Sequence, residues 1–267
     1  MIGWLIYSAV DVEKNKYYIQ MYKDKFKEHF IEIKLVIVEE LENMEQYVKC
    51  NKVDFAINRS RNHIMGELLE QKGVRVFNSS SVTRIANNKG ITYEFLKDVV
   101  PFLAVKYGNE IIESKIENKG FEYPYVIKSC SGHGGSQVFL VNNRKEEEQA
   151  VKAMNGQEYV VQQCCSDLGR DVRAYIIGNK IIKGVLRTST ESFKSNYSLG
   201  GKVQEYTLNN EEKAMVERIV DKLPLDYAGI DFTFHNGKAV FNEIEDAVGA
   251  RMLYQVSDID IVEMYIK

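Results

Sequence analysis

Residues 228–245 read AGIDFTFHNGKAVFNEIE, two apolar segments separated by a short polar turn that contains a glycine. This pattern predicts a β-hairpin, and a loop of three residues, 235–237, fits the apolar positions best. In that register Phe234 faces Lys238 and Asp231 faces Phe241. Side chains alternate along a strand, so the apolar residues share one face. The other face then carries three carboxylates: Asp231, Glu243 and Glu245.

The alternative is a two-residue loop of Asn236 and Gly237. It would move Asp231 to the face opposite the two glutamates, and it would also divide the apolar set, so hydrophobicity favours the longer loop. Three carboxylates on one face repel each other unless a cation lies between them. Oxygen ligands suit Mg²⁺, which often also binds substrate phosphates. The hairpin therefore predicts a magnesium site, with a solvated sheet face as the alternative.

The rest of the chain contains two kinds of pattern. Four strand patterns alternate with helical segments near the beginning: residues 2–8, 31–38, 54–58 and 74–78. Strands separated by helices predict a small parallel sheet with crossover helices. From about residue 88, apolar strands separated by glycine-containing turns predict antiparallel sheets, with helices at 145–154 and 211–223. The predicted fold class is α/β followed by α+β.

Composition excludes several classes of protein. The 267 residues carry 35 basic and 38 acidic side chains, a net charge of −3 that predicts no nucleic-acid partner. No apolar run approaches the roughly 20 residues of a membrane-spanning helix, so no membrane partner is expected. The four cysteines lack the spacing of a disulfide framework or a zinc site. They predict reduced thiols in a cytoplasmic protein.

A loop of small residues follows a strand that ends in Lys128. Residues 126–138 read VIKSCSGHGGSQV, and Gly132, Gly134 and Gly135 allow backbone amides to close around phosphate oxygens. The segment is not a P-loop, because no Gly-Lys-Ser or Gly-Lys-Thr opens a helix here. A phosphate-binding loop is one interpretation, and a flexible hairpin is the other.

Two further segments are candidates for substrate contacts. Residues 169–173 read GRDVR, and their charged residues begin a predicted strand. There Asp171 can accept hydrogen bonds from both hydroxyl groups of a ribose. An exposed charge pair at a strand end is the alternative. Residues 187–201 are polar and without periodicity, which is typical of a substrate loop or of a solvent loop.

Taken in order, these segments resemble the RimK-type carboxylate–amine ligases of the ATP-grasp superfamily. That group includes ribosomal-protein glutamate ligases and ligases of carrier-protein lysine biosynthesis. The matching segments are 87–89 with Tyr93, 126–128, 131–136, 162–165, 169–174, 193–196, 228–231 and 242–245. The resemblance implies an ATP-grasp fold with an N-terminal parallel-sheet domain, residues 1–85. A central subdomain, 86–155, and a C-terminal subdomain, 156–267, would clamp ATP between them.

The resemblance also implies roles for individual residues. Lys89 and Lys128 would contact the ATP phosphates, and Asp171 the ribose. The loop over the phosphates would comprise Ser131, Gly132, Gly134, Gly135 and Ser136. The hinge that binds adenine would comprise Gln162, Gln163, Cys164 and Cys165. The catalytic side chains would be Arg173, Arg187, Lys194 and Asn196. The magnesium ligands would be Asp231, Glu243 and Glu245, holding a pair of Mg²⁺ ions for which Mn²⁺ could substitute.

The implied reaction joins a carboxylate to an amine, or to a thiol, through an acylphosphate, with release of ADP and phosphate. The partners would be small-molecule or peptide acids and amines, and a homo-oligomer is compatible with the sequence. A catalytically inactive ATP-binding module, acting as a sensor or partner subunit, is the alternative. Retention of Lys89, Lys128 and the three carboxylates argues against it, because a sensor needs adenine contacts more than phosphate chemistry.

Two positions depart from the family pattern. Glu245 stands where the family usually has asparagine, and Arg251 lies in an altered turn beyond it. Arg251 is interpreted either as a contact to an acidic group of the substrate or as a surface ion pair with Asp246 or Glu263. The hinge cysteines are not expected to be nucleophiles, because their strand context suggests neither the cationic neighbours nor the exposure that a reactive thiolate needs.

Overall fold

The computed structural model describes residues 1–108, 121–135, 137–195 and 201–267. The predicted loop residue Ser136 and the predicted catalytic residue Asn196 lie outside the described residues. Within these ranges the chain forms three sheets, one parallel and two antiparallel, as the sequence pattern predicts.

The N-terminal unit is a parallel sheet with strand order β2-β1-β3-β4. Its strands are β1 (Ile2–Tyr7), β2 (Glu32–Ile37), β3 (Phe55–Asn58) and β4 (Arg75–Phe77). The helices between them are α1 (Ala9–Val12), α2 (Lys16–Glu28), α3 (Met44–Cys50) and α4 (His63–Gln71). The central strand β1 is buried after its first residue, as expected for a parallel sheet that is covered on both faces.

Two short helices, α5 (Ser80–Ala86) and α6 (Lys89–Leu96), lead from this sheet into the next unit. The Asn88 side chain caps α6 by accepting a hydrogen bond from the Ile91 amide at 3.1 Å. Helix α6 therefore begins two residues before the start that periodicity predicts. The cap places Lys89 at the first helical position, where its backbone amide donates to the Cys130 carbonyl at 2.9 Å. This bond fixes the base of Lys89 beside the glycine-containing loop.

The central unit is an antiparallel sheet with strand order β5-β8-β6-β7. Its strands are β5 (Val105–Tyr107), β6 (Tyr125–Ser129), β7 (Val138–Val141) and β8 (Tyr159–Gln163), and helix α7 (Arg144–Met154) packs on it. The predicted boundary at residue 155 assigns β8 to the C-terminal unit, and this is wrong. Strand β8 pairs with β5 and β6, so the central unit continues to Gln163.

The C-terminal unit is an antiparallel sheet with strand order β11-β10-β9-β12-β13. Its strands are β9 (Arg170–Ile177), β10 (Lys180–Thr188), β11 (Lys202–Tyr206), β12 (Tyr227–His235) and β13 (Lys238–Glu245). Helix α8 (Asn210–Lys222) precedes β12, and α9 (Arg251–Val256) and α10 (Ile261–Ile266) follow β13. Buried residues of β1, β3, α9 and α10 share one hydrophobic core, so the end of the chain packs onto the N-terminal sheet. None of the helices described here has the length and apolar composition needed to cross a membrane.

The β12–β13 hairpin has a two-residue loop, not the predicted three-residue one. His235 pairs with Lys238, which leaves only Asn236 and Gly237 in the loop. Both loop residues have positive φ, 51° and 75°, as in the two-residue turns that match the right-handed twist of a hairpin. The predicted pairing of Phe234 with Lys238 is therefore wrong.

A register shift within the hairpin restores the predicted face. Asp231 pairs with Glu243 while the next residue, Phe232, pairs with Phe241. The extra residue, Asn242, forms a β-bulge that reverses the alternation of side chains on β13. Asp231, Glu243 and Glu245 therefore do share one face, although Asp231 faces Glu243 and not Phe241 as predicted.

Candidate active site

A cavity of about 120 Å³ lies between the central and C-terminal sheets. Its lining includes most of the predicted nucleotide and catalytic residues: Lys89, Lys128, Gly132, Gly134, Gly135, Gln162, Gln163, Cys165, Asp171, Arg187, Lys194 and Glu243. Of the remaining predicted residues, Ser131 is exposed and Cys164 faces a separate surface cavity. Arg173 and Glu245 line a second cavity, described below, and Asp231 is buried beneath both.

Three lysines reach across the first cavity. Lys89 Nζ donates to the Gly132 carbonyl at 2.7 Å, and Lys194 Nζ donates to the Gly135 carbonyl at 2.6 Å. The third, Lys128, donates to Asn242 Oδ1 at 2.8 Å. The lysines partly fill the space, which is smaller than the roughly 300 Å³ of ordinary ligand pockets. A chain of phosphates could replace these neutral acceptors and neutralise the three cations.

Lys128 is the most deeply buried of these cations. Its exposed fraction is 8 %, and its strand neighbours on β6 are buried as well. Burial lowers the pKa of Lys128 to about 8, because the loss of water outweighs the attraction of Glu243, which raises the pKa. The nearby charge of Lys89 lowers it further. Lys128 is consequently a cation whose charge changes just above neutral pH.

This pKa predicts a pH dependence. Below about pH 8 the ammonium is charged and binds phosphate, and above it the neutral amine does not, so kcat/KM for ATP should fall as the pH rises from about 7 to about 9.5. Steady-state kinetics across this range would measure the fall. Lys128→Arg provides the control, because a guanidinium stays charged throughout. A wild-type profile as flat as that of Lys128→Arg would contradict the assignment.

Beneath the lysines, two buried arginines bind three carboxylates. Arg173 donates from Nε to Asp231 Oδ1 at 2.7 Å, and from Nη2 to Asp231 Oδ2 at 2.8 Å and to Glu245 Oε2 at 2.6 Å. Arg187 Nη2 donates to Asp231 Oδ2 at 2.5 Å and to Asp171 Oδ2 at 2.8 Å, and Arg187 Nε donates to Asp171 Oδ1. These bonds hold both guanidinium groups in fixed positions between the strands.

Strand register explains this network. Arg173 lies opposite Asp231 on β12, and Asp171 lies opposite Arg187 on β10, so each ion pair joins directly facing residues. The turn between β9 and β10 comprises residues 178–179, and Arg187 lies two residues beyond Val185, the register partner of Arg173. The sequence did not predict that Asp171 pairs with Arg187. Its role at the ribose stays a prediction.

Asp231 is the most enclosed carboxylate of the network, with no exposed surface. Burial alone would raise the pKa of Asp231, but Arg173 and then Arg187 outweigh it and lower the pKa to about 2. Asp231 is therefore ionised at every pH at which the protein is expected to work. Its charge holds the two arginines.

The predicted magnesium ligands divide between two environments. Asp231 and Glu245 accept hydrogen bonds from the buried arginines, whereas Glu243 lines the first cavity, with one oxygen 3.6 Å from Lys89 Nζ. In the part of the chain that the structure describes, no three histidine, cysteine or acidic side chains are grouped to hold a metal ion. The prediction that three carboxylates converge on one cation stays a prediction. In this structure the arginines of β9 and β10, which the hairpin pattern does not include, bind Asp231 and Glu245.

The donors that face the first cavity nevertheless fit Mg²⁺. Glu243 supplies a partly exposed carboxylate, and Asn242 supplies an amide oxygen beside it. One or two such oxygen ligands together with substrate phosphates form an ordinary magnesium site. Asn242 lies within the quoted motif, but its importance becomes visible only through the bulge and its bond to Lys128.

Comparisons with known proteins identify the family of this chain. The family model described as the RimK-like ATP-grasp domain matches residues 81–267. The chain belongs to this family. The RimK-like chain is also 32 % identical over 261 residues to protein MG011 of Mycoplasma genitalium, a match that covers 96 % of this chain and 88 % of the relative. The resemblance to RimK-type ligases is therefore confirmed.

Two further relatives extend the comparison. A probable alpha-L-glutamate ligase of Maridesulfovibrio salexigens is 26 % identical over 230 residues, covering 84 % of this chain and 67 % of the relative. The crystal structure of a RimK domain ATP-grasp protein from Sphaerobacter thermophilus has a TM-score of 0.77 at 20 % identity and covers 99 % of this chain and 98 % of that one. The predicted ATP-grasp fold is confirmed, and membership places the RimK-like chain among ATP-binding ligases.

The predicted hinge of the RimK-like chain, residues 162–165, contains some residues that bind neighbouring segments and others that face the first cavity. Gln162 is buried and donates to the Tyr93 hydroxyl at 3.1 Å, and the Gln163 amide donates to the Ala104 carbonyl at 2.9 Å. Cys165 lines the first cavity, and its interaction with the Cys164 thiol lowers the pKa of Cys165 to about 6, although burial opposes this. Lys128 also lowers that pKa, so the expectation that no cation lies near these thiols is wrong.

We still expect the thiols not to act as nucleophiles. Replacing both Cys164 and Cys165 by alanine should leave kcat within about tenfold of wild type, because ATP-grasp chemistry in this site needs cations around the phosphates and no covalent enzyme intermediate. Phosphate release under saturating substrates would measure this. Cys50→Ala, which removes an exposed thiol elsewhere, is the control. Complete loss of turnover with intact ATP binding would support a covalent role.

Arg251 begins helix α9 and is exposed. The predicted alternative, an ion pair with Asp246 or Glu263, does not occur among the residues that the structure describes. Asp246 accepts a hydrogen bond from Asn87, and Glu263 pairs with His29. Arg251 instead lines the second cavity, where its role is considered further below.

Proposed function

We propose that this protein activates a substrate carboxylate as an acylphosphate with ATP and joins it to an amine. The products would be an amide, ADP and phosphate. The convergence of three lysines from different elements on one small cavity carries this proposal, because it supplies positive charge where a phosphate chain would lie. A carboxylate and a triphosphate repel each other, so positioned cations are the principal requirement of this chemistry.

Each group has a distinct part in the proposed reaction. Lys89 and Lys128 would bind the ATP phosphates after releasing Gly132 and Asn242, and Lys194 would hold the glycine-containing loop over them. Mg²⁺, held by Glu243 and Asn242 when bound, would neutralise phosphate charge during transfer. These contacts lower the repulsion that the incoming carboxylate meets.

Arg187 would bind the transferring phosphoryl group. It lines both the nucleotide cavity and the second cavity, so it lies at the boundary between ATP and the acid substrate. Its guanidinium is held by Asp171 and Asp231 and is only 4 % exposed. Its Nε and Nη2 donate to these carboxylates, so Nη1 would bind the phosphoryl oxygens, and the held side chain has little freedom left to lose.

The finer features remain part of the proposal. We expect a pair of Mg²⁺ ions, replaceable by Mn²⁺, a small-molecule or peptide acid and amine, and a cytoplasmic location. An inactive ATP-binding sensor is less well supported, because the cations and Glu243 lie at the phosphate end of the cavity, where a sensor has no need of them.

A phosphate-release screen over pairs of acids and amines, followed by mass analysis of the products, tests the proposal. The expected result is Mg²⁺-dependent release of ADP and phosphate that requires both partners and gives a product lighter than their sum by one water. Lys128→Met should lose ATP binding and turnover together. ATP binding without release of phosphate for any pair, even with hydroxylamine as the amine, would favour the inactive module.

A further inference from the structure

A second cavity of about 370 Å³ adjoins the nucleotide cavity and shares Gly134 and Arg187 with it. It lies between the N-terminal unit and the segment from β13 to α9. The cations that line it are Lys14, Arg59, Arg61, Arg173, Arg187 and Arg251, against the carboxylates of Asp11 and Glu245. Six cations and two anions line the cavity, and Asp171 and Asp231 pair with its arginines from below, so an excess of two positive charges remains.

Arg59 is a buried cation without a carboxylate partner among the residues described. It is 4 % exposed, and its Nε donates to the Tyr7 hydroxyl at 2.8 Å. Its Nη2 donates to the Ala247 and Val248 carbonyls at 3.1 and 2.7 Å, and Nη1 donates to no atom of the described chain. Four tyrosine rings surround the guanidinium at 5.2 to 6.0 Å: Tyr7, Tyr18, Tyr22 and Tyr227.

Aromatic rings and carbonyls compensate a buried guanidinium only in part, because full compensation takes an anion. The other buried arginines of this cavity have one. Arg173 and Arg187 belong to the carboxylate network, and the partly buried Arg61 lies 2.5 Å from Asp11. Within the described residues, Arg59 and Arg251 are thus the arginines of this cavity that lack a carboxylate partner, and both face the same space.

We propose that Arg59 and Arg251 form an anion-binding subsite for a second carboxylate of the acid substrate. This inference rests on the proposed function and names its substrate class, a dicarboxylic compound. One carboxylate would lie at Arg187, where it reacts, and the other would lie against Arg59 and Arg251. The tyrosine side chains of the lining suit a short apolar linker between the two.

Calorimetric titration with succinate, glutarate and adipate, each compared with its monoamide, tests the subsite with ADP and Mg²⁺ present. At least one diacid should bind about tenfold more tightly than its monoamide, as expected for one charge-assisted arginine contact. Arg251→Gln should abolish that difference and leave the melting temperature unchanged, because Arg251 is exposed. Arg144→Gln, on the exposed face of α7, is the matched control and should keep the preference. Arg59→Lys, checked by thermal unfolding, should give the same loss.

The outcomes separate the subsite from the ligase. Equal binding of every diacid and its monoamide, or an Arg251→Gln variant that keeps the preference, would overturn the subsite, even if turnover on monocarboxylic acids upheld the ligase. Diacid binding that depends on Arg251, with no ATP turnover for any acid in a hydroxylamine trap, would overturn the ligase and leave the subsite standing.

Discussion

Glu243→Gln is expected to lower kcat by about 10²-fold or more, because it removes the carboxylate that faces the phosphate cations and the proposed Mg²⁺. The side chain keeps its shape and is about one-third exposed, so the melting temperature should stay close to that of wild type. Steady-state kinetics at several Mg²⁺ concentrations and thermal unfolding would measure both quantities.

The control for this variant is Glu148→Gln, which removes an equivalent charge from an exposed ion pair on helix α7. It should leave kcat unchanged, since surface pairs of this kind contribute at most about 1 kcal/mol to stability and lie far from the cavity. Wild-type turnover in Glu243→Gln would contradict the assignment of Glu243 as a magnesium ligand. If the variant were unfolded at the assay temperature, the loss of activity would indicate a structural role for Glu243.

Arg187→Lys is expected to lower both kcat and stability. One ammonium cannot reproduce the two-pronged contact to Asp171 together with the bond to Asp231, so a buried carboxylate loses a partner. Breaking such a buried pair costs about 3 kcal/mol in unfolding free energy, and loss of the oriented fork should lower kcat by about 10²-fold. The KM for ATP should change little, because the lysines bind the phosphates.

Denaturant unfolding and steady-state kinetics would test these two effects separately. Arg144→Lys makes the same chemical change on the exposed surface and should alter neither quantity. Lost stability with full turnover would limit Arg187 to holding Asp171 and Asp231 together. Full retention of both would show that charge alone suffices at this position.

The local sequence was sufficient to predict most helices and strands and to identify the family. Strands β1 to β4 and helices α7 and α8 begin and end within one residue of the predicted bounds, because periodicity and turn residues act over a few positions. The ordered motifs around Lys89, Lys128 and Asp231 were sufficient to identify an ATP-grasp ligase. They also placed the lysines and the glycine-containing loop at one cavity, because each motif marks a strand end or helix start whose place in this fold follows from the family.

Only the tertiary structure decided which partners these residues have. The bulge at Asn242 depends on how two strands pair, and Arg173 binds Asp231 from 58 positions away in the chain. Arg59 reaches the Val248 carbonyl across 189 positions, and only that packing makes it a cavity cation with no carboxylate partner in the described part of the chain. A local pattern records turns and alternation, whereas register and burial follow from contacts between distant segments. For that reason the sequence by itself determined the family and most of the reactive groups, and the fold determined which of them stay free to meet a substrate.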